Sequence, residues 1–588
     1  MTGSNLKYIS AVVASLSISF VLNVIGINWG RSGYVPWQPD SIEGVTIVNE
    51  LPKTFEKWTY KYPRGYFVIN GIFYKPIIDH WKKHPEQVRT SRGKVVNAAL
   101  TTERLEKLAQ ITRWITIVLA GATVLAVMLT AAVLFRDKTA AILAGLSLAV
   151  MQLFVFYSSS GCVDVPAMAF YAFSGYFAVK AIYHGKWRHY LGLGFCVAYA
   201  VCTKEGIGVF LLGLVFGMWG LMFEKAESGK GRAGQGRGDR GGTKSSAKRT
   251  RTESVAVLSC PGETAGSGCL VRNCIIRLKQ AVLLIISVKI LAAVVVCALV
   301  FGLLNGFSGG SGEFLDRVSH WKVVTEGFLE SFKGHSELLW RSCRQLYQGL
   351  GWPLLAVVLG STVYFSVRHR WKLLFTAGPL VFFYLITVVN IHFNAPRFML
   401  PGYVGLAILI GKGSADWLRC RKIPAVLRIS GIVLVFGLSF LYCLGLVLET
   451  ANDTRERAEK WVHQHVNPKA VIGAAMPKGY APRLHYQGYR QISNWHSEGV
   501  RIGNRKIKFY PDYLIVSTDW PCLSRPTDPE FRKKLFKGKT NYRKVADFQV
   551  KYLPPNGIVF GLAGWPTKRH SRISPRMIIF EKDTGANP

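Results

Sequence analysis

Carboxylates are scarce in this sequence: 34 Asp and Glu stand against 73 Lys and Arg, for a formal net charge of +39 at pH 7. Such an excess suggests nucleic acid at first sight. The positive residues, however, gather in short loops between apolar runs and in one low-complexity insert, the pattern of anchoring on the cytoplasmic side of a membrane. Nucleic-acid binding is set aside on that patterning. Cysteine forms no framework either. Eleven are scattered, several inside apolar runs (Cys196, Cys202, Cys297, Cys443), so neither a disulfide scaffold nor a zinc site is indicated. No cluster has metal-ligand spacing, and no internal repeat is visible. The first apolar run, 8–27, lacks a clear small-residue cleavage site and is long for a leader; it reads as a retained first span.

What the chain does have is apolar length. It is 49% hydrophobic, with a mean hydropathy of +0.21 over 588 residues, which suits many membrane spans plus one extramembrane part. A span needs about 20 mostly apolar residues. The runs fall near 8–27, 114–135, 139–157, 165–182, 190–202, 207–223, 278–304, 350–367, 373–389, 398–410 and 425–448. The fold class expected is therefore mainly α, a polytopic transmembrane bundle of about 11 spans with a small C-terminal α/β extramembrane domain. The membrane domain covers 1–448, with a long polar loop at 28–112 and a Gly/Ser/Lys/Arg-rich insert at 224–277 that reads as disordered. Within the first loop, 66–78 is too short to cross and fits an amphipathic helix along the interface. A second loop of about 40 residues is expected before the eighth span, at 305–349.

If the spans alternate, Arg136-Asp137-Lys138, the turn at Lys186, the 224–277 insert, Arg368 to Lys372 and Arg419 to Lys422 share one face, which the positive-inside rule makes cytoplasmic. The loop Val35-Pro36-Trp37-Gln38-Pro39-Asp40-Ser41-Ile42-Glu43-Gly44 then lies on the other face. Asp164, Lys204-Glu205, the 305–349 loop, the turn from His392 to Arg397 and the tail join it there. The tail, 449–588, reads as α/β. Asn452-Asp453-Thr454 caps a helix whose apolar face is Ala458, Trp461, Val462 and Val466, although the same triplet fits a glycosylation sequon. Strand-type runs follow at 471–474, 513–517, 545–548 and 577–580.

Transfer of a group onto a hydroxyl or amine needs a carboxylate to accept a proton and positive charge near a phosphate leaving group. Asp40, beside prolines and a tryptophan, is the base candidate; the alternative is a solvated aspartate capping the next helix. Glu43, one turn on, is a substrate-binding candidate or an ordinary first-turn acid. Asp164, before Val165-Pro166, is either a catalytic carboxylate at membrane depth or a helix-start acid. Lys204 and Glu205 interrupt apolar sequence, either paired with each other or serving a phosphate and a partner acid. Arg397 opens span ten, where it can grip a phosphate or snorkel to the interface. His392 is a polar-contact candidate or a plain interfacial histidine. Tyr62 and Arg64, in Tyr62-Pro63-Arg64-Gly65-Tyr66, add a cation between aromatics.

These motifs, in this order, resemble the GT-C superfamily of integral membrane glycosyltransferases. More narrowly, they resemble the bacterial branch related to protein O-mannosyltransferases and the lipid A aminoarabinose transferase. The resemblance rests on Trp37-Gln38-Pro39-Asp40, Lys61-Tyr62-Pro63, Val163-Asp164-Val165-Pro166-Ala167, Thr203-Lys204-Glu205-Gly206, Arg397-Phe398-Met399-Leu400-Pro401, and Asp453-Thr454-Arg455 with Ala458 and Trp461. Ser41 stands where the family often has a glutamate, and Arg64 where it has a second proline. The resemblance implies a polyprenyl-phosphate sugar donor, Asp40 as base, and Lys204 and Arg397 at the donor phosphate. It also implies a lipid, glycan or protein acceptor and a multi-pass location in a bacterial inner membrane. No cofactor is called for, and a divalent metal ion is left open. The rival reading is a flippase for lipid-linked sugars, which would use the same charges without chemistry; broken helices at mid-membrane and repeated halves would mark it.

Overall fold

The computed structural model describes residues 3–31, 37, 41–52, 63–89, 95–235, 288–305, 334–391, 394–476, 481–484, 488–493, 495, 500–502, 505–507, 510–517, 529–549 and 575–583. Asp40, Tyr62, His392 and the insert from 236 onward lie outside the described residues.

The chain is a mainly α, polytopic membrane protein. Among the described residues, eight helices are long and apolar enough to cross a membrane, or nine when one bent pair counts as a single span. In chain order the membrane part runs α1 (Gly3–Ile25), α2 (Val45–Glu50), α3 (Gly65–Lys83), a hairpin of β1 (Glu86–Arg89) and β2 (Val95–Ala98), and α4 (Thr102–Phe135). It continues with α5 (Lys138–Ala149), α6 (Gln152–Ser158), α7 (Asp164–His184), α8 (Trp187–Thr203), α9 (Ile207–Gln235) and α10 (Val288–Asn305). It ends with α11 (His335–Arg368), α12 (Arg370–Phe383), α13 (Leu400–Arg419) and α14 (Ala425–Ala451). Each expected span overlaps these helices, the third taking in both α5 and α6 and the part of the seventh before Val288 lying outside the described residues.

Four expectations change. Residues 335–349, read as outer loop, are the first half of α11, joined to its apolar half at a kink where Gly351 has φ 74°. Polar side chains hid that helix because a surface helix needs only one apolar face. Residues 102–112, read as the end of the first loop, are the opening turns of α4, N-capped by Thr101. The third span is bent by 64° between α5 and α6. Residues 224–235, read as the start of a disordered insert, continue α9.

Three contacts tie the basic ends of the spans together. Asp137 caps α5 by accepting from the Thr139 and Ala140 amides at 3.1 and 3.2 Å, and it receives the Arg419 guanidinium from the end of α13, Nη2 to Oδ1 at 2.6 Å. Lys372 pairs with Glu224 at 2.9 Å. Lys289, at the start of α10, donates to the Gly185 carbonyl at 2.9 Å. Burial pushes the Asp137 carboxyl up, but Arg419, the Ala140 amide and Lys412 outweigh it and hold the pKa at about 2. A depressed carboxyl contributes stability above its unfolded pKa of about 3.9 and loses it as pH falls toward the folded value. Asp137→Asn therefore lowers the melting temperature at neutral pH, and the gap from wild type narrows as pH falls from 4 toward 2. A gap that does not change with pH would assign the loss to packing.

Helices approach closely where small residues allow it. Gly411 of α13 meets α5 so tightly that a Cβ there would lie 2.5 Å from the Ala140 carbonyl oxygen, the small-residue contact by which membrane helices pack. α3 buries Tyr66, Phe67, Asn70, Gly71, Tyr74 and Ile78 and leaves Ile72 and Phe73 exposed, as a helix lying across one end of the bundle would.

Beyond α14 comes the C-terminal part. Its elements are α15 (Thr454–His465), β3 (Val471–Ala474), β4 (Arg490–Ser493), β5 (Val500–Ile502), β6 (Arg505–Ile507), β7 (Tyr513–Ser517), α16 (Pro529–Phe536), β8 (Tyr542–Phe548) and β9 (Met577–Lys582). Five strands form a sheet in the order β4-β3-β7-β9-β8. Strands β4, β3 and β7 are parallel, while β9 is antiparallel to both β7 and β8. Asp453 caps α15 by accepting from the Arg455 amide at 2.9 Å. Ala458, Val462 and Val466 face the core with Ile472, Ile515 and Ile579, and Trp461 packs at its edge.

Candidate functional site

Around the turn 159–164, which joins α6 to α7, several of the residues singled out in the sequence meet; Asp40, Tyr62 and His392 lie outside the described residues. Gly161 has φ +66°, a backbone region that favours glycine, and a Cβ there would lie 2.6 Å from Glu43 Oε2. Its carbonyl accepts from the Ile42 amide at 3.2 Å and from the Tyr66 hydroxyl at 2.8 Å. Ser41, which follows Asp40 in the chain, forms an antiparallel bridge with Cys162 and donates its hydroxyl to the Ser160 carbonyl. Residues 41–43 and α3 thus both dock on the turn that leads into Asp164.

Asp164 opens α7 and is 2% exposed. One oxygen, Oδ1, accepts from the Lys204 ammonium; the other, Oδ2, is buried without a hydrogen-bond partner among the described residues. Lys204 sits in extended backbone just past α8. Its ammonium lies 5.2 Å from the Phe398 ring centroid, and the Arg397 guanidinium lies 5.1 Å from the same ring. Phe398 and Arg397 belong to a short 3-10 turn, Pro396–Met399, leading into α13. Arg64 is 5% exposed, and the residue after it, Gly65, packs on the end of α8. A Cβ on Gly65 would be 2.7 Å from the Cys202 carbonyl oxygen, and Tyr199 donates its hydroxyl to the Gly65 carbonyl at 3.1 Å. Glu205 follows Lys204, half-buried. Asp164, Lys204, Glu205, Arg397 and Arg64 therefore gather where the start of α7, the end of α8, the start of α13 and the start of α3 come together. In the structure Lys204 pairs with Asp164, where the sequence left Glu205 as its possible partner.

Glu43 occupies a different position. It is 1% exposed and meets Arg113 of α4 through two bonds of 2.8 Å, Nε to Oε2 and Nη2 to Oε1. The Arg113 Nη1 donates to the Ile27 and Trp29 carbonyls, each at 2.7 Å. Both side chains are fully buried. Arg113 thus staples the start of the first outer loop to α4, and nothing in the sequence pattern marked it. The one available signal was a cation near the start of a span in a chain whose first loop carries an acid.

The C-terminal domain also reaches this loop. Trp29 donates its indole N–H to Asp453 Oδ2 at 2.8 Å, and Trp37 donates to the Ala481 carbonyl at 3.2 Å. Among the described residues no group of three or more His, Cys, Asp or Glu is arranged to hold a metal ion. The arrangement as it stands offers one buried and two partly buried cations, Arg64, Lys204 and Arg397, beside a half-paired carboxylate. That set can bind an anionic group and hold a neighbouring proton acceptor.

Comparison with known proteins gives a match in sequence. Residues 98–228 fit the sequence model of the family described as dolichyl-phosphate-mannose-protein mannosyltransferase; the matched stretch runs from the start of α4 into α9 and contains Asp164, Lys204 and Glu205. No curated protein matches the chain. Among solved structures, the chain is similar to ArnT from Cupriavidus metallidurans, both bound to undecaprenyl phosphate and in the apo state. Each comparison gives 12% sequence identity over 100% of both chains, with a TM-score of 0.44.

Proposed function

We propose that this protein is a glycosyltransferase that moves a sugar from a polyprenyl-phosphate donor to an acceptor at the outer face of the membrane, with Asp40 as the base. The observation that carries the proposal is the match of residues 98–228 to a mannosyltransferase family, because the matched stretch includes the Asp164–Lys204 ion pair. The placement of Ser41 against Cys162, two residues before Asp164, supports assigning Asp40 to the same site.

In the proposed reaction an acceptor hydroxyl or amine attacks the anomeric carbon as its proton passes to Asp40. The bond from that carbon to the phosphate oxygen breaks, the configuration inverts, and polyprenyl phosphate leaves carrying the bonding pair. Lys204 and Arg397 meet the phosphate charge, and Asp164 orients the Lys204 ammonium through Oδ1. Arg64, Tyr62, Glu205 and His392 complete the contacts to donor and acceptor. Glu43 contributes by holding the loop through Arg113. The acceptor is a lipid, glycan or protein, and the setting is a bacterial inner membrane.

The test is transfer of radiolabel from polyprenyl-phosphate monosaccharides to membrane-extract acceptors by the purified protein, with carriage of the same donors across liposomes measured in parallel. Label appearing on an acceptor supports the enzyme reading; carriage without transfer replaces it with the flippase. Lys204→Met is expected to raise the donor KM by about 10- to 100-fold, the equivalent of losing one charge-assisted hydrogen bond to the phosphate. Asp164→Asn, which keeps the ammonium but loosens its aim, raises it less. Equal binding by wild type and Lys204→Met would remove Lys204 from the phosphate site.

A further inference from the structure

We infer that Asn394, held by Ser342 and Gln345 of α11, is a positioning residue: it clamps the turn that carries Arg397 and so aims that guanidinium at the donor phosphate. The inference rests on the proposed reading of Arg397 as a phosphate ligand. Arg397 and Phe398 sit on the 3-10 turn Pro396–Met399, which leads into α13. Within it the Phe398 amide donates to the Ala395 carbonyl at 2.9 Å. The rest of its support comes from outside.

Asn394 ties the turn at both ends. Its carbonyl accepts from Gln345 Nε2 at 2.9 Å. Its side-chain Nδ2 donates to Ser342 Oγ at 3.0 Å and lies 3.3 Å from Met399 Sδ at the far end of the turn. Asn394 is 6% exposed, and Ser342 and Met399 are 2% exposed each, so water does not compete for these contacts. Ser342 and Gln345 are three residues apart on α11 and share one face of it. Gly349, farther along α11, leaves no room for a Cβ against the Tyr403 hydroxyl of α13. α11 thus presses on the turn and on the helix that the turn opens.

Packing alone does not call for these groups. A buried hydrogen-bonded pair adds little net stability, and apolar partners of the same shape can replace it at little cost. What the hydrogen bonds supply is direction, because they weaken steeply when misaligned. Apolar contact would hold α11 against the turn and leave the turn free to slide. Phe398 shows why that matters: the Lys204 ammonium lies 5.2 Å and the Arg397 guanidinium 5.1 Å from its ring centroid. The turn that sets Arg397 therefore also sets the ring beside Lys204. A guanidinium that grips a phosphate with paired donors needs its orientation as well as its charge, and orientation is fixed by the residues behind it. The polar half of α11 supplies that support.

The experiment uses the full chain in detergent with polyprenyl phosphate as the ligand, so that neither acceptor nor transfer is needed. Polyprenol, the same chain without its phosphate, is the control. Asn394→Leu is expected to weaken polyprenyl phosphate binding by about 10-fold, the loss of one charge-assisted hydrogen bond, and to leave polyprenol binding unchanged. Ser342→Ala, which removes a single hydroxyl, is expected to do the same to a smaller degree and carries the test where Asn394→Leu does not fold. Equal losses on both ligands would mean a loosened bundle and overturn the inference. Arg397→Met/Asn394→Leu is expected to bind no worse than Arg397→Met alone, whereas independent effects would multiply and overturn it too. A spin label on Arg397→Cys, with accessible native cysteines such as Cys343 replaced by serine, reads the turn directly. Asn394→Leu and Ser342→Ala are expected to raise its mobility, and an unchanged line shape in both overturns the clamp. If Arg397→Met binds polyprenyl phosphate as tightly as wild type while the label still loosens, the phosphate reading of Arg397 is what has failed, and the aim assigned to the clamp falls with it.

Discussion

Asp40→Asn is expected to lower the rate of sugar transfer by about 10²- to 10⁴-fold, the range that a positioned general base supplies, with donor binding unchanged. Asparagine keeps the shape of the side chain and removes its capacity to take a proton. The described residues on either side of position 40 have anchors of their own: Trp37 is held by Ala481, Arg455 and Arg483, and Ser41 by Ser160 and Cys162. The donor's phosphate contacts are assigned to Lys204 and Arg397, which the substitution leaves in place. A loss in kcat without a loss in donor binding is therefore the signature of chemistry, and equal losses in both would mean a binding role. The variant and wild type are compared at equal protein with radiolabelled polyprenyl-phosphate monosaccharides. If Asp40→Asn transfers as fast as wild type, another group takes the proton.

Arg113→Gln is expected to destabilise the protein by about 3–5 kcal/mol, the cost of leaving one partner of a buried ion pair behind. The geometry explains the size of the effect. Removing the guanidinium strands the Glu43 carboxylate at 1% exposure and takes away the shared donor of the Ile27 and Trp29 carbonyls. A lysine at 113 is expected to recover only part, because a single ammonium cannot reproduce a planar fork that meets a carboxylate with two parallel bonds. Arg113→Met/Glu43→Leu should cost less than Arg113→Gln, since it removes the buried charge along with its partner. Thermal unfolding in detergent measures all three, and an Arg113→Gln protein as stable as wild type would refute the staple. Because the staple holds the loop that contains Asp40, the variant should also lose transfer activity at temperatures where it remains folded.

The membrane helices were legible in the sequence because a bilayer imposes a local rule. Every backbone polar group inside it must be satisfied within its own segment, so apolar length alone marks a span. The run at 425–448 and the helix Ala425–Ala451 agree for that reason, as do the others. Strands 471–474 and 513–517 were legible because a short apolar run between turn residues is also a local signal; both match their observed bounds. The cap at Asp453 followed from three residues in a row. The helix over 335–349 was missed because its pattern is mostly polar and its apolar face is set by what it packs against. The bend between α5 and α6 was missed because the apolar run does not pause there.

The sequence by itself determined which stretches can enter the membrane, where its positive ends lie, and which carboxylates and cations stand out at the opposite ends. Each of those is a statement about neighbours along the chain. Tertiary structure alone decided the partners: Glu43 with Arg113 across 70 residues, Asp164 with Lys204 across 40, and Trp37 with the Ala481 carbonyl across 444. Charge and polarity say that such groups need partners once buried, since an unpaired buried charge is costly. They do not say which, because several arginines and acids satisfy the same need, and only the packing of the helices brings one pair within 3 Å and separates the rest.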